Sequence, residues 1–215
     1  MRKLLRDTWY FLVPYIFATI ICVVLILIYS KPELHIFLNK ANSPFFDQFF
    51  KYITHLGDGT TIAILTIILL FVKYRYAVVF LTGGLVTSGI INLLKKVILD
   101  DIYRPSRYFE LYETYQLHFV EGVNLHSLQS FPSGHTGTAF NAFFMLALIT
   151  SNNWLQVLFF VLAAFTAYSR VYISQHFLID ITVGSAIGIM VMLLFYYWLS
   201  KWESPWLDKS LIRRQ

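Results

Sequence analysis

Residues Trp9 to Tyr29 read WYFLVPYIFATIICVVLILIY, a run without a charged side chain. A helix needs roughly 20 apolar residues to cross a hydrocarbon core about 30 Å thick. This run is long enough. It is too long and too aromatic for the core of a secretory signal, and no small-residue cleavage site follows it. It reads as a retained first span. Pro14 sits near its start, where a missing N–H does least harm.

Five further apolar runs follow. Thr60 to Val72 is short and gains a turn from the residues before it. Tyr76 to Leu99 carries Gly83, Gly84 and Gly89, small residues that let helices approach closely, and ends in Lys95 and Lys96. The fourth starts near His135 and ends by Thr150, before a Ser151-Asn152-Asn153 turn. The fifth runs from Trp154 to about Ser169. The sixth runs from about Phe177 to Leu199, with Gly184, Ser185, Ala186 and Gly188 as a packing face. The expected fold is all-α: a six-span transmembrane helical bundle, one integral membrane domain over residues 1–215. Between spans one and two, Phe45, Phe46, Phe49, Phe50 and Ile53 share one helical face, behind a Ser43-Pro44 start. That stretch reads as an interfacial helix or as a lid over the bundle. Asp100 to Phe131, between spans three and four, is long for a plain connection.

Composition agrees. Of 215 residues, 57% are hydrophobic and 13% charged, too few charges to cover a soluble globule. Disorder is excluded by the same figures, and the lone Cys22 excludes a disulfide scaffold. A net charge of +5 does not mark a nucleic-acid partner, because the basic residues form no dense cluster. They flank the apolar runs. Arg2, Lys3 and Arg6 precede span one, Lys73 and Arg75 link spans two and three, and Lys201, Lys209, Arg213 and Arg214 follow span six. Six spans place all of these on one side, read as cytoplasmic.

Ionisable groups at membrane depth are costly and need a reason. Three clusters qualify, all at the non-cytoplasmic span ends: Lys95-Lys96 with Arg104-Pro105; Pro132-Ser133-Gly134-His135; and Ser169-Arg170, His176 and Asp180. Singly, each has a bland explanation. Terminal Lys and Arg side chains snorkel, and Pro-Ser-Gly-His is a capped turn. His176 and Asp180 are four apart, so on a helix they share a face. A carboxylate on one imidazole nitrogen fixes the tautomer and makes the other a better nucleophile. Together the clusters suit a phosphoryl group. Arg forks and Lys bind its oxygens, a helix N-terminus adds N–H donors, and two histidines can divide attack and proton transfer. No metal-ligand set stands out, and these cations would oppose one.

At these residues the chain resembles the type 2 phosphatidic acid phosphatase superfamily, the membrane lipid phosphate phosphatases. That family's pattern is Lys-x6-Arg-Pro, Pro-Ser-Gly-His, and Ser-Arg-x5-His-x3-Asp. The second and third motifs are complete here. The first departs: Val97, not Lys, stands seven before Arg104, with Lys96 one residue further away and Lys95 two. The resemblance implies a mechanism. His176 attacks phosphorus, Asp180 orients it, and His135 protonates the leaving oxygen and then activates water. Lys96, Arg104, Ser133, Gly134, Ser169 and Arg170 bind the phosphate. It implies no metal and no cofactor, a lipid phosphate substrate drawn from the bilayer, and a site facing the exterior of a bacterial inner membrane. Undecaprenyl diphosphate is favoured by analogy over phosphatidylglycerol phosphate, phosphatidic acid and lipid A phosphates. Transfer to a lipid or sugar acceptor, or non-catalytic phospholipid binding or transport, are the alternatives.

Overall fold

The computed structural model describes residues 1–212. Arg213 and Arg214, counted above among the charges after span six, lie outside the described residues. Helix α1 (Arg2–Asp7) leads into α2 (Trp9–Ile28), α3 (Lys31–Asn39) and α4 (Pro44–Ile53). A 3-10 turn, Thr54–Gly57, joins α4 to α5 (Gly59–Val72), and α6 (Tyr74–Leu93) runs on through a π turn, Leu94–Ile98. Then come α7 (Pro105–Tyr112), α8 (Gly134–Ile149), α9 (Asn153–Tyr172) and α10 (Leu178–Leu199). A helix stands at every expected span, among described residues without a strand.

The bundle is apolar outside as well as inside. α2 buries little beyond Phe11 and Leu12, while Phe17, Ile20, Leu27 and Ile28 face outward. In water that surface would demand a partner; in a bilayer the lipid covers it. α8 lies at the centre, packed by α6, α9 and α10, with Ala139, Ala142, Phe144 and Met145 fully enclosed. Four helices are by themselves long and apolar enough to cross: α2, α6 continued to Ile98, α9 and α10. The α4 segment and α5, bent by 58°, could together make a fifth. α8 has 16 residues, about 24 Å at 1.5 Å per residue, short of a full crossing alone.

The two ends of the bundle differ. At one, Gln156 Nε2 donates to Asp7 O at 2.7 Å. There too Arg75 donates to both oxygens of Asp208, at 3.0 and 3.1 Å, with Lys73 2.9 Å from the same carboxylate. The chain start, the α5–α6 link, the start of α9 and the segment after α10 therefore share one end, as the charge pattern predicts. The three polar clusters lie at the other.

Two connections carry more order than the sequence reading assigned. α3 was not anticipated, although Ser30 and Glu33 form a capping box, with Ser30 N donating to Glu33 Oε2 at 3.0 Å. The amphipathic α4 packs Phe50 on Tyr168 and Tyr172 of α9, while Phe45 stays exposed. The long connection folds as α7 and an extended return, pinned where Arg104 N donates to Ser127 O and Ser130 N to Ile102 O.

The small-residue faces hold with one exception. Gly83, Gly84, Gly184 and Gly188 are buried, but Gly89 faces outward with nothing within 4 Å of a Cβ built on it. Gly184 is the demanding position. A Cβ there would lie 2.5 Å from Ser133 O, and Ser133 N donates to Asp180 O at 2.9 Å. Gly184→Val should therefore force α10 off α8, costing about 1–3 kcal/mol. The expected readout is a lower thermal unfolding midpoint in detergent, with Gly89→Val leaving that midpoint in place.

Candidate active site

A tight link, residues 173–177, joins α9 to α10. Gln175 N and His176 N both donate to Arg170 O, at 2.9 and 3.0 Å, and Ser174 takes a left-handed φ of 53°. This turns His176 back over the first turn of α10. Its Nδ1 lies 3.3 Å from Asp180 Oδ2. The same oxygen accepts from Phe177 N at 2.9 Å and from Ser130 Oγ. Both side chains are 1% exposed. The contact assigns the proton to Nδ1 and leaves Nε2 unpartnered among the described residues. Burial first, then the cations Lys95, Arg104 and Arg170, hold the His176 imidazolium well below its ordinary pKa. At neutral pH the ring is neutral, the form a nucleophile needs.

Three cations surround it. Arg104 is held by Leu128 O at 2.9 Å and Gln175 Oε1 at 2.7 Å. Arg170 is 6% exposed, and one terminal nitrogen donates to Thr54 Oγ1 at 2.8 Å. Its Nε has no partner among the described residues. An enclosed guanidinium with an idle donor calls for an acceptor. Lys95 is buried beside them, 8% exposed.

The second histidine, His135, stands in the first turn of α8. Its Nε2 lies 2.8 Å from Asp58 Oδ1. Asp58 precedes α5, and its other oxygen lies 2.7 Å from His55 Nδ1. His135 foremost, then His55, hold the Asp58 carboxyl down to about 2, against burial. A cavity of about 330 Å³ opens here, lined by Asp58, His135, Arg170, Gln175, Lys51 and His126.

The structure thus brings together His176, Asp180, His135, Arg104, Arg170 and the start of α8 with Ser133 and Gly134. Two expected residues differ. Lys96 is exposed; Lys95 takes its place in the cluster. Lys95 continues the buried stripe of Thr87 and Ile91 at four-residue spacing, and Lys96 falls about 100° round the helix. The π turn, closed by Leu99 N to Leu94 O at 2.8 Å, takes up extra chain before Arg104. Ser169 is fully buried, but its hydroxyl donates to Thr166 O at 2.6 Å, within α9. That bond ties it to its own helix, where it packs. Ser133 Oγ accepts from Thr136 Oγ1 at 2.9 Å as the cap of α8.

Several residues were missed by the sequence reading. Asp58 and His55 lie far from the motifs in sequence, and a helix-capping Asp is ordinary. Thr54, Ser130 and Gln175 act only through contacts. His35 went unremarked, yet it is buried with Nε2 3.2 Å from Ser174 Oγ, bracing the link that carries His176. Among the described residues, no group of three or more His, Cys, Asp or Glu is arranged to hold a metal ion.

Fold and site define a class: an integral membrane helical bundle with a buried cationic site at one end. Residues 75–204 match the PAP2 superfamily model, and the chain belongs to that superfamily. The family read from the motifs is thereby borne out. The chain is 40% identical over 73 residues to the lipid A 1-phosphatase of Porphyromonas gingivalis, a match covering 33% of this chain and 16% of that protein. It is 26% identical over 185 residues to the lipid A 4'-phosphatase of the same organism, covering 83% of this chain and 76% of that one. The crystal structure of Aquifex aeolicus LpxE superposes with a TM-score of 0.69 at 24% identity, over 79% of this chain and 96% of that one. The PAP2-type phosphatidylglycerolphosphate phosphatase of Bacillus subtilis gives 0.58 at 21%, over 95% and 100%.

The Lys95 placement is testable on phosphate release. Lys95→Ala should lower kcat/KM by about tenfold or more, the loss of a charge-assisted contact to phosphate, and Lys96→Ala should stay within about twofold of wild type.

Proposed function

We propose that the chain is a membrane lipid phosphatase that removes phosphate from a lipid phosphomonoester or diphosphate through a phosphohistidine at His176. One observation carries this reading: Arg170, Arg104 and Lys95 are gathered, one with an idle buried Nε, around an imidazole whose Nε2 is free. Nearby carboxylates, Asp180 and Asp58, are each already engaged with a histidine. The cluster lacks an anion with several acceptor oxygens.

His176 Nε2 attacks phosphorus, and the bond to the leaving oxygen breaks as His135 supplies that oxygen's proton. His135 then takes a proton from water. The water oxygen attacks phosphorus, the P–N bond breaks, and phosphate leaves. Asp180 keeps the His176 proton on Nδ1 throughout. Lys95, Arg104, Arg170 and the first N–H groups of α8 hold the equatorial oxygens, where transition-state charge is spread. These fixed cations fill the role a divalent metal would have, so turnover needs none. The site end faces away from the cytoplasm, on the side opposite the Arg2, Lys3, Lys73 and Arg75 end.

Both relatives from Porphyromonas gingivalis are named for lipid A. That supports lipid A phosphates ahead of undecaprenyl diphosphate, which rested on analogy alone.

Detergent-purified protein with a chelator present should release phosphate, fastest from lipid A in a panel that also holds phosphatidylglycerol phosphate, phosphatidic acid and undecaprenyl diphosphate. His176→Ala should remain at the blank. Substantial turnover by that variant would remove His176 as the nucleophile. Folded wild-type protein that releases nothing would turn the reading to transfer or to binding without chemistry.

A further inference from the structure

We propose that Asp58 is the positioning residue of the acid–base histidine: it holds Nε2 of His135 and presents the opposite nitrogen, Nδ1, to the leaving oxygen. The inference rests on the phosphatase reading above. Asp58 also lies outside the residues, 75–204, that match the family model.

Four observations converge. The first is distance: Asp58 Oδ1 lies 2.8 Å from His135 Nε2, and Oδ2 lies 2.7 Å from His55 Nδ1. The carboxylate is gripped from both sides, so its rotamer is set. Second, Asp58 forgoes its ordinary work. It stands at the N-cap of α5, where an Asp usually accepts from the helix's own N–H groups, yet its side chain makes no cap bond. Third, the backbone is fitted to the contact. A Cβ on Gly57 would lie 2.5 Å from His135 O, so the Thr54–Gly57 turn rests directly on the start of α8. The same turn supplies Thr54 to Arg170. One short segment thus supports two members of the site.

The fourth is the charge around His135. Arg170 and Lys95 face it, with His176 deeper and Lys51 and His126 across the cavity. These cations oppose an imidazolium. A carboxylate at hydrogen-bond distance works against them, in the direction that favours the protonated ring. In the first step Nδ1–H of His135 passes its proton to the leaving oxygen as the P–O bond breaks and the His176 N–P bond forms. In the second step Nδ1 recovers a proton from the attacking water. Nε2–H stays on Asp58 in both.

The test separates proton donation from architecture by leaving group. An alkyl alcohol needs a proton to depart; 4-nitrophenolate leaves as an anion. kcat/KM, which reports the step up to phosphorylation of His176, is measured with n-dodecyl phosphate and with 4-nitrophenyl phosphate. In Asp58→Asn the ratio of aryl to alkyl kcat/KM should rise about tenfold or more, within the usual worth of a general acid. The Asp58 side chain makes no cap bond, and Asn is itself a good cap, so α5 keeps its start. Asp58→Ser, another good cap, should raise the ratio likewise and serves if the Asn variant does not fold. In a His135→Ala background, adding Asp58→Asn should leave the ratio where His135→Ala put it. A ratio that does not move, or that falls, overturns the proposal, as does a further rise in the double variant. Wild-type protein inactive on both substrates and on the lipid panel overturns the phosphatase reading and this inference with it; active wild type with an unmoved ratio overturns this inference alone.

Discussion

Positive charge held out of water needs negative charge beside it, and the far end of this bundle is arranged around not fully supplying it. Lys95 and Arg170 are enclosed among helices that face lipid, with Arg104 half-buried beside them. Taking such groups out of water costs several kcal/mol each unless they are paired. The partners provided are neutral: Thr54 for Arg170, and Gln175 with the Leu128 carbonyl for Arg104. Neutral acceptors orient a guanidinium without quenching its charge. Asp180 and Asp58, which could have quenched it, are each turned to an imidazole. The site is left with an unspent demand for an anion, and the cost is carried by the packing of the rest of the bundle.

That packing is unusually backbone-close where α8 meets its neighbours. Gly184 lies against the Ser133 carbonyl and Gly57 against the His135 carbonyl. Side chains at either place would push α8 outward by more than a hydrogen bond tolerates. α8 is a central strut whose start lies beside the link carrying His176. α2, with no site residue, is the opposite case and reads as a plain span.

The parts legible in the sequence are those fixed by short-range rules. The six apolar runs declare their helices through their uninterrupted apolar character, and Ser133 declares a helix start through its capping chemistry. His176 and Asp180, four apart, could be paired on paper. Lys95 against Lys96 was decidable in principle, because the stripe through Thr87 and Ile91 selects Lys95 by helical spacing. The unread π turn obscured how the chain then reaches Arg104. Asp58 was out of reach for a different reason. Its partner lies 77 positions onward, and an Asp-Gly pair before an apolar run is already explained as a helix start. A residue whose local environment accounts for it carries no residual signal.

The two imidazole–carboxylate pairs differ in one respect that bears on their division of labour. His176 and Asp180 are sealed, each 1% exposed, while His135 and Asp58 are 36% and 30% exposed. A nucleophile gains from exclusion of water, since a neutral ring without hydrogen-bonding solvent keeps its lone pair free, and buried dipoles about it act at low dielectric. An acid–base group cannot be sealed in the same way. It must meet the water it activates, from which it recovers its proton in every cycle. The difference in burial fits the proposed division of roles without reference to any motif. It also accounts for the third imidazole, His55, which is 65% exposed and stands between Asp58 and solvent, where it can steady the carboxylate without closing the cavity.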